Sequence, residues 1–208
     1  MRIVFEHVTT DGGLRDHSLV LDIHGVTLLK TNNNELGKAI LNAIIGLDEV
    51  ISGNLTIDGI PLEEYLGGTP LPQAIGYVFD EGIMLSNLTL RENLLLPYRM
   101  IADDTADDNF NQEIGEWMQR FELNIDLDKR PDFVKPSDLK VLSFIRPLLF
   151  SPKLLLVDDP YYLLSQKQRK AVLKVLGELK ADHLMLILSL DDDLVQGFGA
   201  EIVELPGE

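Results

Sequence analysis

Three short, almost wholly apolar runs constrain this chain most: Val26-Thr27-Leu28-Leu29, Leu154-Leu155-Leu156-Val157 and Leu184–Leu188. Each has strand length and no regular polar alternation, the mark of a strand buried on both faces. Between them lie helix-length amphipathic segments. The spacing predicts a helix over 35–45, with Leu36, Ile40, Leu41, Ile44 and Ile45 on one face and Gly46 ending it. A second is predicted over 166–180 with Ser165 as its N-cap. Buried strands alternating with amphipathic helices define an α/β fold. Further strands are predicted within 1–24, around a Gly12-Gly13 turn, and over 54–60, 74–79 and 201–205.

Between residues 89 and 149 strand signals give way to three helical segments. One carries Phe110, Ile114, Trp117, Met118 and Phe121 on one face, preceded by the acidic stretch Asp103-Asp104-Thr105-Ala106-Asp107-Asp108. Those acids suit a helix N-terminus, where the helix dipole favours negative charge. An α/β core interrupted by a helical insertion is therefore expected, with residues 1–88 and 150–208 as core and 89–149 as the helical subdomain.

Composition narrows the function. The 18 Lys and Arg against 34 Asp and Glu leave a net charge of −16. A nucleic-acid partner needs cations to neutralise phosphates and is not expected; the same charge disfavours any polyanion, ATP included, unless a local site overcomes it. There is no cysteine, which excludes disulfides and thiolate chemistry. His7, His17, His24 and His183 are scattered, so no metal site is expected. No apolar run reaches the ~18 residues of a membrane span. The chain opens on the strand-like Ile3-Val4-Phe5 without a signal peptide, so a cytoplasmic location is expected.

The segment 26–46 reads strand–loop–helix, and the 154–157 strand ends in Asp158-Asp159-Pro160. A phosphate-binding loop followed by a strand ending in acid is the layout of P-loop NTPases. The chain strongly resembles the ATP-binding cassette (ABC) ATPase subunits of membrane transporters. The resemblance rests on Ile40–Leu47 with Ser52–Gly59, on Ile75–Phe79 with Asn87–Leu94, and on Pro152–Asp158. It implies a P-loop NTPase-like cassette, with a RecA-like core, an antiparallel β edge and a helical subdomain.

The family's chemical motifs match less well. Its first loop has the form G-x-x-x-x-G-K-[ST], in which backbone N–H groups wrap phosphates, Lys reaches the β/γ oxygens and the hydroxyl binds Mg²⁺. Ungapped, Thr31 and Leu36 stand at the two glycines, Gly37 at the lysine, and Lys38-Ala39 at the hydroxyl pair. A one-residue gap restores Gly37-Lys38 but leaves Ala39 without a hydroxyl. Lys38 then reads either as an exposed helix lysine or as the phosphate ligand. Asn34 and its neighbours Asn32 and Asn33 can cap the helix. The glutamine-loop position is Asp80. The signature L-S-G-G-Q reads Val134-Lys135-Pro136-Ser137-Asp138, where Pro cannot donate an N–H and Ser137 can still cap the following helix. Leu190 stands at the switch histidine. Asp158 matches the metal-associated acid and Asp159 stands where a glutamate polarises water; both read equally as acids capping a strand end.

With phosphate cradle, hydroxyl, glutamine and histidine all replaced, these residues predict a degenerate, pseudo-ATPase-like cassette: no enzyme, no functional catalytic residues, no cofactor and no metal. It is expected to act as a scaffold, adaptor or regulatory component of a membrane transport complex. The alternative is a divergent, active ABC ATPase that uses Lys38 and Asp158 with ATP and Mg²⁺ to power transport. Expected partners are a permease or a second ABC ATPase subunit, or a second copy in a homodimer. The region Asp80–Leu96, with Met84, Leu85, Leu88, Leu94, Leu95 and Leu96, is the expected permease-facing segment, and Tyr161–Leu164 the dimer face. An inner-face peripheral membrane association follows from that resemblance.

Overall fold

In the computed structural model the described residues are 1–99, 107–191, 194 and 199–205. Of the expected acidic stretch, residues 103–106 lie outside them. Strands β1 (Arg2–Thr10), β2 (His17–Asp22), β4 (Val50–Ile57) and β5 (Ile60–Pro61) form an antiparallel sheet in the order β2-β1-β4-β5. Strands β3 (Val26–Lys30), β6 (Ile75–Val78), β7 (Leu154–Asp158), β8 (Leu184–Leu188) and β9 (Glu201–Glu204) form a second sheet in the order β6-β7-β8-β3-β9. Its neighbours pair in parallel, Leu156 against Leu186 and Leu28 against Ile187.

The uninterrupted apolar runs now have a physical reason. Every residue of β7 is buried. Because side chains alternate across a strand, Leu155 and Val157 enter one core while Leu154 and Leu156 enter another. Met185 and Ile187 of β8 follow the first, Leu186 and Leu188 the second. A sheet with a core on each face has no solvated side, so polar alternation has nowhere to go.

Helix α1 (Asn34–Ile44) packs Ile40, Leu41 and Ile44 into the second core, with Ile3, Phe5, Leu55 and Ile57 of the antiparallel sheet. Gly46, just beyond its end, takes φ +72, the left-handed conformation that closes a helix at little strain. Two short helices, α2 (Leu62–Gly68) and α3 (Leu71–Ala74), lead into β6. The first core receives α4 (Leu90–Arg99), α5 (Asp107–Arg120), α6 (Pro136–Leu148) and α7 (Gln166–Leu179), through Leu94, Phe110, Ile114, Phe144, Val172 and Leu176. Trp117 and Met118 pack at its margin. Each fully buried Leu, Ile or Phe contributes about 1.5–3 kcal/mol of transfer free energy.

The caps largely follow the residues expected to provide them. Ser165 caps α7 in a reciprocal capping box with Gln168. Of the three asparagines it is Asn33 that caps α1. Ser137 does not cap α6. That helix starts at Pro136 behind Lys135, because proline's fixed φ suits the first helical turn and moves the boundary one residue earlier. Among the described residues no helix is long and apolar enough to cross a membrane.

Candidate functional site: an ion-pair cluster at the carboxyl ends of the strands

The carboxyl ends of β3, β6, β7 and β8 open onto one edge of the parallel sheet, the edge at which open α/β sheets place their ligands. Thr31 follows β3. Its hydroxyl accepts from the Asn33 N–H at 3.0 Å, and the Asn33 side-chain oxygen accepts from the Leu36 N–H at 3.1 Å. This Ser/Thr-type turn followed by a side-chain cap folds the loop without any ligand. Gly37 is buried, and a Cβ there would lie 2.5 Å from the Leu188 side chain. Its missing side chain is thus spent on close packing against β8. Ala39 faces the core, whereas Asn34 is exposed.

Lys38, which the sequence leaves open between two readings, is not a freely solvated lysine. Its ammonium donates to Asp80 Oδ2 and lies 3.7 Å from Asp158 Oδ2. The Asp80 hydrogen bond raises the Lys38 pKa above the usual lysine value against the opposing effect of burial, with Asp158 adding to the rise. Burial alone would raise Asp80, but hydrogen bonds from Lys38 and from the Glu81 N–H hold it below the usual carboxylate range.

Asp158 is 2% exposed. Burial pushes its carboxyl up to about 6, against the pull of Lys38. Its Oδ1 has no hydrogen-bond partner among the described residues. Asp159, just beyond β7, takes φ 35, and its Oδ1 accepts from the Tyr161 N–H of the following turn at 3.2 Å. Positive φ is tolerated by Asp better than by most residues.

A fifth charged group escapes sequence reasoning. Lys140 on α6 is 0% exposed. Its ammonium donates to the Phe79 carbonyl and, at 3.0 Å, to the Asp158 carbonyl. Burial lowers its pKa to about 8, with Asp158, Asp159 and Asp80 opposing the fall. The available signal was one lysine in the Leu139–Ile145 stretch, whose only other polar residue is Ser143. A buried ammonium demands acceptors, and the strand ends supply them.

Val134 and Ser137 are half-buried, while Lys135 and Pro136 are exposed. Asp138 accepts from the Gln168 amide at 2.9 Å, tying the first turns of α6 and α7 together. Leu190 is 56% exposed beyond β8. In the segments expected to meet partners, Leu94, Leu95, Tyr161 and Leu164 are buried, whereas Leu85, Tyr162 and Leu163 are exposed. A groove of about 250 Å³ opens near Leu47, Tyr77, Phe79, Pro97 and Phe150.

The cluster fits a nucleotide phosphate and a divalent cation in the following sense. Lys38 offers a part-exposed ammonium in the second turn of α1. The unpartnered Oδ1 of Asp158 has the hard-oxygen chemistry that a divalent cation takes, but it is closed to solvent in this structure, so a cation has to displace its cover to reach it. Among the described residues no three acids or imidazoles form a metal cage. Mg²⁺ does not need one: it is usually held by one or two carboxylates together with substrate phosphates and water.

Comparison with known proteins agrees on the fold. The family model described as ABC transporter matches residues 33–162. The molybdenum import ATP-binding protein ModC 1 of Azotobacter vinelandii is 29% identical over 91% of this chain and 53% of its own length. The phosphonates import ATP-binding protein PhnC 2 of a Synechococcus strain is 30% identical over 80% of this chain and 65% of its own. The chain spans about half the length of several curated relatives it matches. A dimeric ATP-binding cassette solved after hydrolysis with ADP and Pi superposes with a TM-score of 0.82 at 21% identity, over 99% of this chain and 94% of that one. These neighbours share the α/β cassette fold expected from the sequence. The curated relatives overturn two expectations, that the chain is no enzyme and that it takes no cofactor, because they are named ATP-binding import proteins.

Proposed function

This chain belongs to the ABC transporter family, and we propose that it is a divergent ATP-binding cassette that hydrolyses ATP with Mg²⁺ to power transport through a membrane permease. One observation carries the reading: the Lys38 ammonium stands between Asp80 and Asp158 at the sheet's carboxyl edge, beside a buried Asp158 oxygen with no partner among the described residues. The names of the relatives support nucleotide use and transport.

Each side chain has a role that its geometry permits. Lys38 pairs with the nucleotide's terminal phosphates. Asp158 supplies an oxygen ligand to the cation. Mg²⁺, when bound, neutralises charge building up on the phosphates. Asp159 is held in a fixed orientation by the Tyr161 N–H and is suited to orient the attacking water. Lys140 is a positioning residue: its bonds to the Phe79 and Asp158 carbonyls fix the spacing of the strand ends that carry Asp80 and Asp158. Phosphoryl transfer relies on positioning and electrostatic stabilisation, so such a clamp bears on rate without touching substrate.

The sequence departs from the family's first-loop and signature patterns at Thr31, Leu36, Ala39, Lys135 and Pro136. The divergence proposed here is a shift of phosphate binding from loop N–H groups towards side-chain ammonium. The permease is the proposed partner, with exposed Ile83 and Leu85 beside α4 as supporting surface. The whole chain is then proposed to work at the cytoplasmic face of the membrane.

The test is a titration with a fluorescent ATP analogue, with and without Mg²⁺, followed by phosphate release with ATP. Binding that strengthens with Mg²⁺ and is lost in Lys38→Ala supports the reading. Absence of binding at millimolar nucleotide overturns it.

A further inference from the structure

We propose that Asp80 is a built-in competitor for the nucleotide phosphate at Lys38, so that this one carboxylate sets the cassette's nucleotide affinity. The inference rests on the nucleotide-binding reading above.

The Asp80 carboxylate is held at both ends. Its Oδ1 accepts from the Glu81 N–H at 2.8 Å, which fixes the plane of the group, and its Oδ2 receives the Lys38 ammonium. An anionic oxygen thus already occupies the Lys38 donor that a phosphate needs. The partners come from segments 42 residues apart, so the contact is made only in the folded chain. Side-chain exposures of 36% for Lys38 and 24% for Asp80 place the pair at the mouth of the site, where an incoming anion can reach it.

Charge arithmetic gives the direction of the effect. Lys38 already faces two carboxylates, Asp80 and Asp158. A phosphate drawn to Lys38 has to displace Asp80 and then remain close to the displaced negative charge. Both steps oppose binding. When the competent arrangement is only a fraction of the population, apparent affinity falls by that fraction. The raised Lys38 and lowered Asp80 pKa values agree that both partners are ionised near neutral pH.

Neutral substitution separates this competition from other roles. Asp80→Asn keeps an oxygen for the Glu81 N–H but loses the charge. Asp80→Ser does so with a shorter side chain. Asp80→Glu keeps the charge on a longer arm. A fluorescent ATP analogue is titrated into the wild-type chain and all three variants, with urea denaturation as the check on folding. The expected result is Kd about ten-fold lower in Asp80→Asn and Asp80→Ser, with Asp80→Glu near wild type. The ratio shrinks towards one at about 0.5 M salt, where the competing pair is screened. Folded neutral variants that bind no tighter than wild type overturn the proposal, while wild-type binding leaves the nucleotide reading standing. No binding by wild type or any variant overturns the nucleotide reading and this proposal with it.

Discussion

Helices α1 and α6 both begin where the family resemblance puts a phosphate-contacting turn, yet their amino ends are built differently. The α1 end is closed from within: Thr31 holds Asn33, Asn33 caps the Leu36 N–H, and four residues into the helix Lys38 is held by Asp80. The α6 end follows Lys135, whose side chain makes no capping bond, and starts on a proline. What anchors α6 lies deeper, at Lys140, one turn further in and wholly buried. The contrast teaches where each element's charge acts. In α1 the cation is part-exposed, and in the reading proposed above it is exchanged for a ligand. In α6 it is locked into the backbone of the strand ends and serves as a fastening.

That contrast can be broken in four ways, beginning with the largest effect. Lys140→Met removes the fastening and leaves the Phe79 and Asp158 carbonyls without their donor. A loss of about 2–4 kcal/mol is expected, read by urea denaturation. A loss below ~1 kcal/mol would show that α6 is anchored by its apolar contacts alone.

Gly37→Ala tests whether α1 is seated by packing. The added Cβ meets the Leu188 side chain, itself 3% exposed, so that side chain, the helix or β8 must shift. A loss of about 1–3 kcal/mol is expected for such overpacking. An unchanged denaturation midpoint would show that the Leu188 side chain rotates away freely.

Asp158 gives a pH signature. Its folded pKa of about 6 exceeds the unfolded carboxylate value, so its protonation favours the fold. That contribution is full below the unfolded value and is lost as pH rises through about 6. Asp158→Asn cannot titrate. Its stability relative to wild type should rise by on the order of 1–2 kcal/mol from about pH 4 to pH 7, measured by denaturation at each pH. A pH-independent difference would place the carboxyl in a more solvated setting.

The smallest effects compare the two caps directly. Asn33→Ala should cost about 1 kcal/mol through loss of the α1 cap. Lys135→Ala, with no capping bond to lose, should stay within about 0.5 kcal/mol. Equal costs in the two variants would erase the distinction between the helix ends.

The sequence by itself determined the elements and their class. Apolar runs such as Leu154–Val157, the 3.6-residue periodicity of α1, the Ser165 cap and the glycine after Ile45 are local signals, each satisfied within a turn or a strand. It also determined the cassette resemblance, because framework segments such as Ile75–Phe79 are contiguous. Replacement of the first-loop and signature residues was equally legible, but its consequence was not. Taken one by one, those positions predict no enzyme and no cofactor, expectations that the names of the relatives overturn. Only the tertiary structure decided that Lys38 meets Asp80 across 42 residues and that Lys140 reaches Phe79 across 61. The physical reason is that a charge's partner is chosen by distance in space and by burial, and chain closure over such separations is set by the packing of both cores around the sheet.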